Sequence, residues 1–176
     1  ECCHKDACTP WWAELRGLPR IAGHREGINS VREMITLCLE LGIHALTIYA
    51  FSQENWNRPT QEISALMGLL EHYLSTERAS LIEQGVRFRT IGRHELLPSS
   101  AQHWIRTTEK ETAHLDKLIL TVALSYGGRA EIVDAVKTLV ENVQAGTLQP
   151  NRIDETTIQQ YLYTHPLQDP DLLIRT

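Results

Sequence analysis

The sequence predicts an α/β domain with a mostly parallel central sheet flanked by helices. Two observations carry that prediction. Three strand-length apolar runs, Ala45–Phe51, Val86–Ile91 and Leu118–Leu124, alternate along the chain with segments of helical period. Polar and charged side chains gather just past the carboxyl ends of those runs, where a parallel sheet presents its ligand-binding loops.

Residues 1–10 show neither alternation nor helical period and read as irregular or as an altered first strand. Cys2, Cys3 and Cys8 lie there, but their spacing fits none of the usual paired zinc-ligand patterns. Cys38 reads as buried, and a disulfide framework is not expected. A helix is predicted from about His24 to Leu41, with Val31, Ile35, Leu37, Cys38 and Leu41 on its apolar stripe and Gly42 ending it. Arg20, His24 and Arg25 then fall at a helix N-terminus, where free N–H groups and the helix dipole favour an anion. Solvated side chains at a helix start are the alternative.

Ala45–Phe51 is apolar at nearly every position, the pattern of a strand buried on both faces. Ser52, Gln53, Glu54, Asn55 and Arg58 follow it directly, and Pro59 stops the strand. This segment reads either as one wall of a binding site or as a polar connection capped by Asn55 or Thr60. Gln61–Gln84 is a long helix with Ile63, Leu66, Met67, Leu70, Leu74 and Leu81 at helical spacing, suited to core or to the wall of an apolar tunnel. Gly85 ends it, and Val86–Ile91 alternates as a half-exposed strand. A loop, a polar helix over Ala101–Leu115 and the strand Leu118–Leu124 come next. Gly127 and Gly128 then open a helix to about Gln144, with Arg129 beside them. Their spacing matches neither a dinucleotide fingerprint nor a phosphate loop. Ile153–Tyr163 is a short helix begun by Asp154, and residues 169–176 read as a last strand that brings Arg175 to the rim.

Composition bounds the function. The 176 residues, 42% of them hydrophobic, suit one domain with a sizeable core, and a net charge of -5 supplies no basic face for nucleic acid. The apolar runs fall far short of the ~20 residues a membrane span needs. With no leader peptide visible, a soluble cytoplasmic protein is expected, with peripheral contact with a bilayer left open. Arg20, Arg58, Arg129 and Arg175 with His24 on one rim argue for a ligand carrying two phosphates, because arginine reads phosphate in a planar, bidentate way. The apolar helix pair beside them suggests a hydrocarbon tail.

Residues 16–27, 46–59, 126–135 and 169–176 stand in order and at the spacing of one family. They resemble the cis-prenyltransferases, in particular the bacterial undecaprenyl diphosphate synthases. The resemblance implies a homodimeric enzyme that uses Mg²⁺ to condense isopentenyl diphosphate onto an allylic diphosphate such as farnesyl diphosphate, giving cis double bonds. It also implies that Arg20, His24 and Arg58 hold the allylic diphosphate and that Arg175 serves the isopentenyl diphosphate site. Trp12, Ser52, Gln53, Glu54 and Trp56 would complete the substrate contacts, and the 61–84 helix would line a tunnel. Asn55 stands where the family assigns a proton acceptor. An amide is a very weak base, so its chemistry suits orienting a diphosphate oxygen or a water, which leaves His24 as the titratable candidate.

The chain departs from the family in two places. Where the family carries Met-Asp-Gly-Asn-Gly-Arg-Trp, whose Asp binds Mg²⁺, an ungapped match puts Ala7 at the Asp, and one inserted residue restores the Asp-to-Trp spacing with Asp6 and Trp11. Asp6 is thus the metal candidate, out of register. The chain also stops at Thr176, before later family motifs, and Arg93 stands where the family has Asp. A divergent segment 1–11, a domain 12–176 incomplete at its C-terminus and weak or absent activity of this chain alone are therefore expected. A non-catalytic family member that binds polyprenyl diphosphate or supports a partner subunit is the alternative.

Overall fold

The computed structural model describes residue 13 and residues 15–174, of which residues 20 and 21 are described by backbone alone. Helix α1 (Arg20–Glu40) leads to strand β1 (Ala45–Ser52), helix α2 (Thr60–Gln84) and strand β2 (Val86–Ile91). Helix α3 (Ser99–Thr112), strand β3 (Leu118–Tyr126), helix α4 (Gly128–Gln144) and helix α5 (Glu155–Tyr161) follow. The three strands pair in parallel in the order β1-β3-β2, so the predicted α/β architecture holds. Parallel neighbours need crossovers, and the helices between the strands supply them.

β3 is central and buried along nearly its whole length. Its even-numbered residues Leu118, Leu120, Val122 and Leu124 join Phe88, Met67, Leu74 and Ile105 in one core, with Ile35 and Cys38 of α1 closing it. Helices α1, α2 and α3 thus contribute to a shared apolar layer against one sheet face. The α2 stripe is the one read from sequence: Met67, Leu74 and Leu81 are buried, a spacing of seven that keeps one face inward. Gly85 ends α2 at φ 78°, the left-handed cap that glycine supplies at least cost.

Three expectations need correction. β1 is not buried on both faces. Among the described strands it is an edge, Thr47 and Tyr49 are exposed, and only Leu46, Ile48 and Phe51 turn toward the core. α1 begins at Arg20, immediately after Pro19, whose extended backbone sets the boundary four residues earlier than predicted. His24 therefore lies past the first turn and its N–H is not one of the unsatisfied donors at the helix start. Finally, residues 169–174 form no strand, and Leu172, Leu173 and Ile174 are 74%, 87% and 66% exposed. An apolar run becomes a strand only where a neighbour offers a ladder, and the described part of this segment pairs with none.

Candidate functional site

The end of β1 is built differently from its beginning. Ile48 faces Val122 and Tyr49 faces Ala123, but Phe51 faces Leu124, so Ala50 is an extra residue in the ladder. The next pair, Ser52 with Tyr126, skips Ser125 on the other strand. Two bulges, one per strand, cancel in register but shift the interval between them by one residue. Side chains alternate along a strand, so that shift moves Phe51 onto the core face, where it is 3% exposed.

Phe51 and Ala50 thereby line an apolar cavity of about 170 Å³. His24 and Val31 of α1, Leu66, Met67, Leu70 and Tyr73 of α2, and Leu120 and Val122 of β3 form its other walls. This is the predicted apolar tunnel wall, and α2 supplies more of it than any other helix. Tyr73 also borders a second, polar cavity of about 250 Å³, which Arg32 and Glu77 flank with an ion pair of 2.7 Å. Burial pushes the Tyr73 hydroxyl up to about 12, with the Glu77 carboxylate adding to the rise, so the wall between the two cavities is uncharged.

Immediately after the bulge, residues Gln53–Asn57 form a single tight 3₁₀ turn. The Ser52 N–H donates to Asn55 Oδ1 at 3.0 Å, which closes the turn on itself. Trp56 packs edge-on against Phe51 at 5.0 Å between ring centroids, and its indole N–H donates to Ser125 Oγ at 2.9 Å. Arg58 follows, half-buried, and pairs with Glu62 one turn into α2 at 2.9 Å. The polar connection and the binding wall, left as alternatives by the sequence, are compatible: Asn55 caps the turn with its carbonyl oxygen and keeps its amide N–H groups for another partner.

Ser52, Gln53, Glu54, Asn55, Trp56 and Arg58 lie together where the carboxyl end of β1 turns into α2, and His24 lines the apolar cavity beside Ala50 and Phe51. Glu54 is exposed and Ser52 and Gln53 are half-buried. Arg129 is exposed at the start of α4. The side chain of Arg20 and the calls on Asp6, Trp12 and Arg175 lie outside the described residues. Among the described residues no group of three or more His, Cys, Asp or Glu side chains could hold a metal ion.

A second polar cluster was not anticipated. Arg93 grips Asp134 through two bonds of 2.9 and 2.7 Å, and the Tyr163 hydroxyl donates to the same carboxylate. Glu131, 6% exposed, accepts from the Tyr126 hydroxyl at 2.5 Å and from the Tyr163 N–H at 2.7 Å. Arg89 donates to the carbonyls of Tyr163, Thr164 and His165. The cluster fastens the segment after α5 to α4 and to the end of β2. Its signal in the sequence was Arg93 itself, which is a departure from the family pattern and gains its partner only through the fold.

The Arg93 guanidinium and then the Tyr163 hydroxyl hold the Asp134 carboxyl down to about 2. In an unfolded chain it would titrate near ~3.9. Because the folded value is the lower one, the stabilisation is full above ~4 and is lost as pH falls toward 2. The stability difference between the natural chain and Asp134→Asn is therefore expected to be constant above about pH 5 and to close between about pH 4 and 2. Urea titrations at stepped pH check this, and a gap that does not narrow over that interval rules the account out.

With the geometry in place, comparison with known proteins is informative. Residues 10–176 match the model of a family described as "Putative undecaprenyl diphosphate synthase". An isoprenyl transferase of Heliobacterium mobile is 48% identical over 164 residues, which cover 93% of this chain and 63% of that protein. A ditrans,polycis-undecaprenyl-diphosphate synthase of Salmonella paratyphi A, (2E,6E)-farnesyl-diphosphate specific by name, is 47% identical over 94% of this chain and 66% of its own length. Among solved structures, lavandulyl diphosphate synthase from Lavandula x intermedia, in complex with dimethylallyl diphosphate, superposes with a TM-score of 0.88 at 33% identity. That match covers 91% of this chain and 69% of the other. The chain thus spans about 63% of the Heliobacterium relative's length.

Proposed function

The chain belongs to the undecaprenyl diphosphate synthase family, the cis-prenyltransferases, and from that premise we propose that it condenses isopentenyl diphosphate with an allylic diphosphate of the farnesyl type. The product is a cis-polyprenyl diphosphate. The observation that carries the proposal is the apolar cavity lined by Ala50 and Phe51, the two residues that lead directly into the Ser52–Arg58 turn, because it sets an apolar slot next in the chain to an arginine-bearing segment. The hydrocarbon of the allylic substrate enters the cavity, where removing apolar surface from water favours it by ~25 cal/mol per Å². Its diphosphate stays at the rim with Arg58.

Reaction requires the allylic C–O bond to break as the alkene of isopentenyl diphosphate attacks, with a proton then lost from the new cation. Charge builds on the departing diphosphate, and a fixed guanidinium there lowers the barrier without reorganising. Asn55 has committed Oδ1 to the Ser52 N–H, so toward a ligand it offers amide donors. Its role in this proposal is to orient a diphosphate oxygen, and His24, on the cavity wall, is the candidate for the proton. Mg²⁺, the cofactor the resemblance implies, would be held at Asp6 and would neutralise charge on the departing diphosphate. Homodimer assembly and peripheral bilayer contact of a cytoplasmic enzyme stay within the proposal too. Exposed Ile132, Val133, Val136 and Val140 on α4 offer an apolar face that assembly would cover, and no described helix is long and apolar enough to cross a membrane.

Incubation with labelled isopentenyl diphosphate, farnesyl diphosphate and Mg²⁺ tests the reading, and label in elongated prenyl diphosphates is the expected result. Binding of farnesyl diphosphate with no elongation would favour the non-catalytic alternative, and no binding would overturn both. Tyr73 gives a further expectation, because it is the wall shared by the apolar and polar cavities. Tyr73→Ala should join them and shift the product distribution toward longer chains, readable by thin-layer chromatography of the dephosphorylated products. An unchanged distribution from a folded variant would refute that wall role.

A further inference from the structure

We propose that Ser125 is a positioning residue for the substrate turn, acting through Trp56. The inference rests on the reading of Ser52–Arg58 as a substrate wall. Ser125 is fully buried, so it cannot touch a ligand itself. Among the described residues it alone, apart from glycines, has a positive φ, at 49°. A left-handed conformation is strained for an ordinary residue, and it persists only where the surroundings over-determine it.

The paired bulges and two hydrogen bonds hold it here, with contacts to the next two residues beside them. Ser125 is the extra residue of β3 in the paired bulges, standing between the Leu124–Phe51 and Tyr126–Ser52 pairs. Its Oγ accepts the Trp56 indole N–H at 2.9 Å, and its carbonyl accepts the Arg93 N–H at 3.3 Å. The Tyr49 hydroxyl donates to the carbonyl of the next residue, Tyr126, at 3.0 Å. Gln53, at the start of the turn, lies beside Gly127, where a Cβ would stand in ordinary contact with its Oε1 at 3.4 Å. The stretch Ser125–Gly127 therefore backs the turn from inside the sheet. This gives the glycine-containing junction a function that its sequence, matching no phosphate loop, leaves undefined.

The coupling runs from Ser125 to Trp56, and from Trp56 to the adjacent Asn55 and to Phe51 at the cavity. Losing the bond should leave the middle of the turn held by its own Ser52–Asn55 link and by packing, with its ends still fixed by the Ser52–Tyr126 pair and the Arg58–Glu62 ion pair. The backbone effect and the hydrogen bond can be separated. Ser125→Gly relieves the left-handed strain but removes the acceptor, whereas Ser125→Asn tolerates the same φ and restores an acceptor oxygen.

The test combines ¹H–¹⁵N spectra of the Trp56 indole with steady-state kinetics on farnesyl diphosphate. In Ser125→Gly the indole N–H is expected to move upfield and exchange at least tenfold faster, with kcat/KM lowered about tenfold at an undiminished urea midpoint. In Ser125→Asn indole protection and kcat/KM should return to within about threefold of the natural chain. Unchanged indole exchange in Ser125→Gly, or altered exchange with unchanged kcat and KM, would overturn the proposal. If the natural chain neither turns over nor binds farnesyl diphosphate, the reading of the turn as a substrate wall fails instead; if it binds without turnover, farnesyl diphosphate affinity replaces kcat/KM as the readout, and the indole exchange reports separately whether Ser125 fixes Trp56.

Discussion

Gly92→Ala is expected to destabilise the chain by about 3–5 kcal/mol, a large part of the ~5–15 kcal/mol that holds a typical domain together. Gly92 follows β2 at φ 113°, outside the left-handed well that some side chains reach. A Cβ there would stand 2.1 Å from the Leu124 carbonyl oxygen and 3.2 Å from the Ser125 carbonyl carbon. Both are backbone atoms of the central strand, so the clash cannot be relieved by turning a side chain. It can be relieved only by parting the ends of β2 and β3, which would also stretch the Arg93 N–H bond to the Ser125 carbonyl.

Gly42 provides the control. It has φ 68°, but a Cβ there would meet nothing within 4 Å, so Gly42→Ala should cost only the conformational penalty of ~1–2 kcal/mol. With a urea dependence of ~2 kcal/mol per M, the Gly92 variant should lose about 2 M from its midpoint and the Gly42 variant under about 1 M. Equal losses at the two glycines would show that the close approach of β2 to β3 carries no energy of its own.

The same contrast explains what could be read in advance. The sheet was legible because its evidence is local: apolar runs of strand length, helical spacing of Met67, Leu74 and Leu81, and the left-handed stop at Gly85 all lie within a few residues of what they determine. The burial of β1 was misread because what covers its outer face and whether it sits at an edge of the described sheet are set by the fold, and no pattern within residues 45–51 encodes either. The strand expected at 169–174 shares this fault, since a ladder partner is a property of the fold. Ser125 left no mark because a glycine or asparagine would announce a left-handed residue and a serine does not. Arg93 looked like a mismatch because Asp134 stands 41 residues away. The turn itself was legible, since its polar side chains crowd one strand end, but the side of Asn55 left for a ligand needed the Ser52 bond to define it.

Arg58→Ala is expected to weaken binding of farnesyl thiodiphosphate, an unreactive analogue of the proposed allylic substrate, by about 10- to 100-fold. Hydrogen bonds to a charged group are worth ~1.5–3 kcal/mol, and a tenfold change in affinity is ~1.4 kcal/mol. In the unliganded protein Arg58 already bonds Glu62, with their side chains 26% and 16% exposed, so the guanidinium is preset at the rim. A partly buried pair one helical turn apart that still reaches solvent adds modestly to stability, on the order of 1 kcal/mol, and the variant should fold with a urea midpoint lowered by under about 1 M. Affinity and stability therefore separate at this residue, which a purely structural role for the pair would not allow. Arg58→Lys should fall between the natural chain and the alanine variant, because it keeps the charge but lacks the planar fork that meets two phosphate oxygens. Calorimetric titration of the three proteins gives the order directly. If alanine binds as tightly as arginine, the diphosphate does not lie against the turn, and the apolar cavity must then be entered from another side.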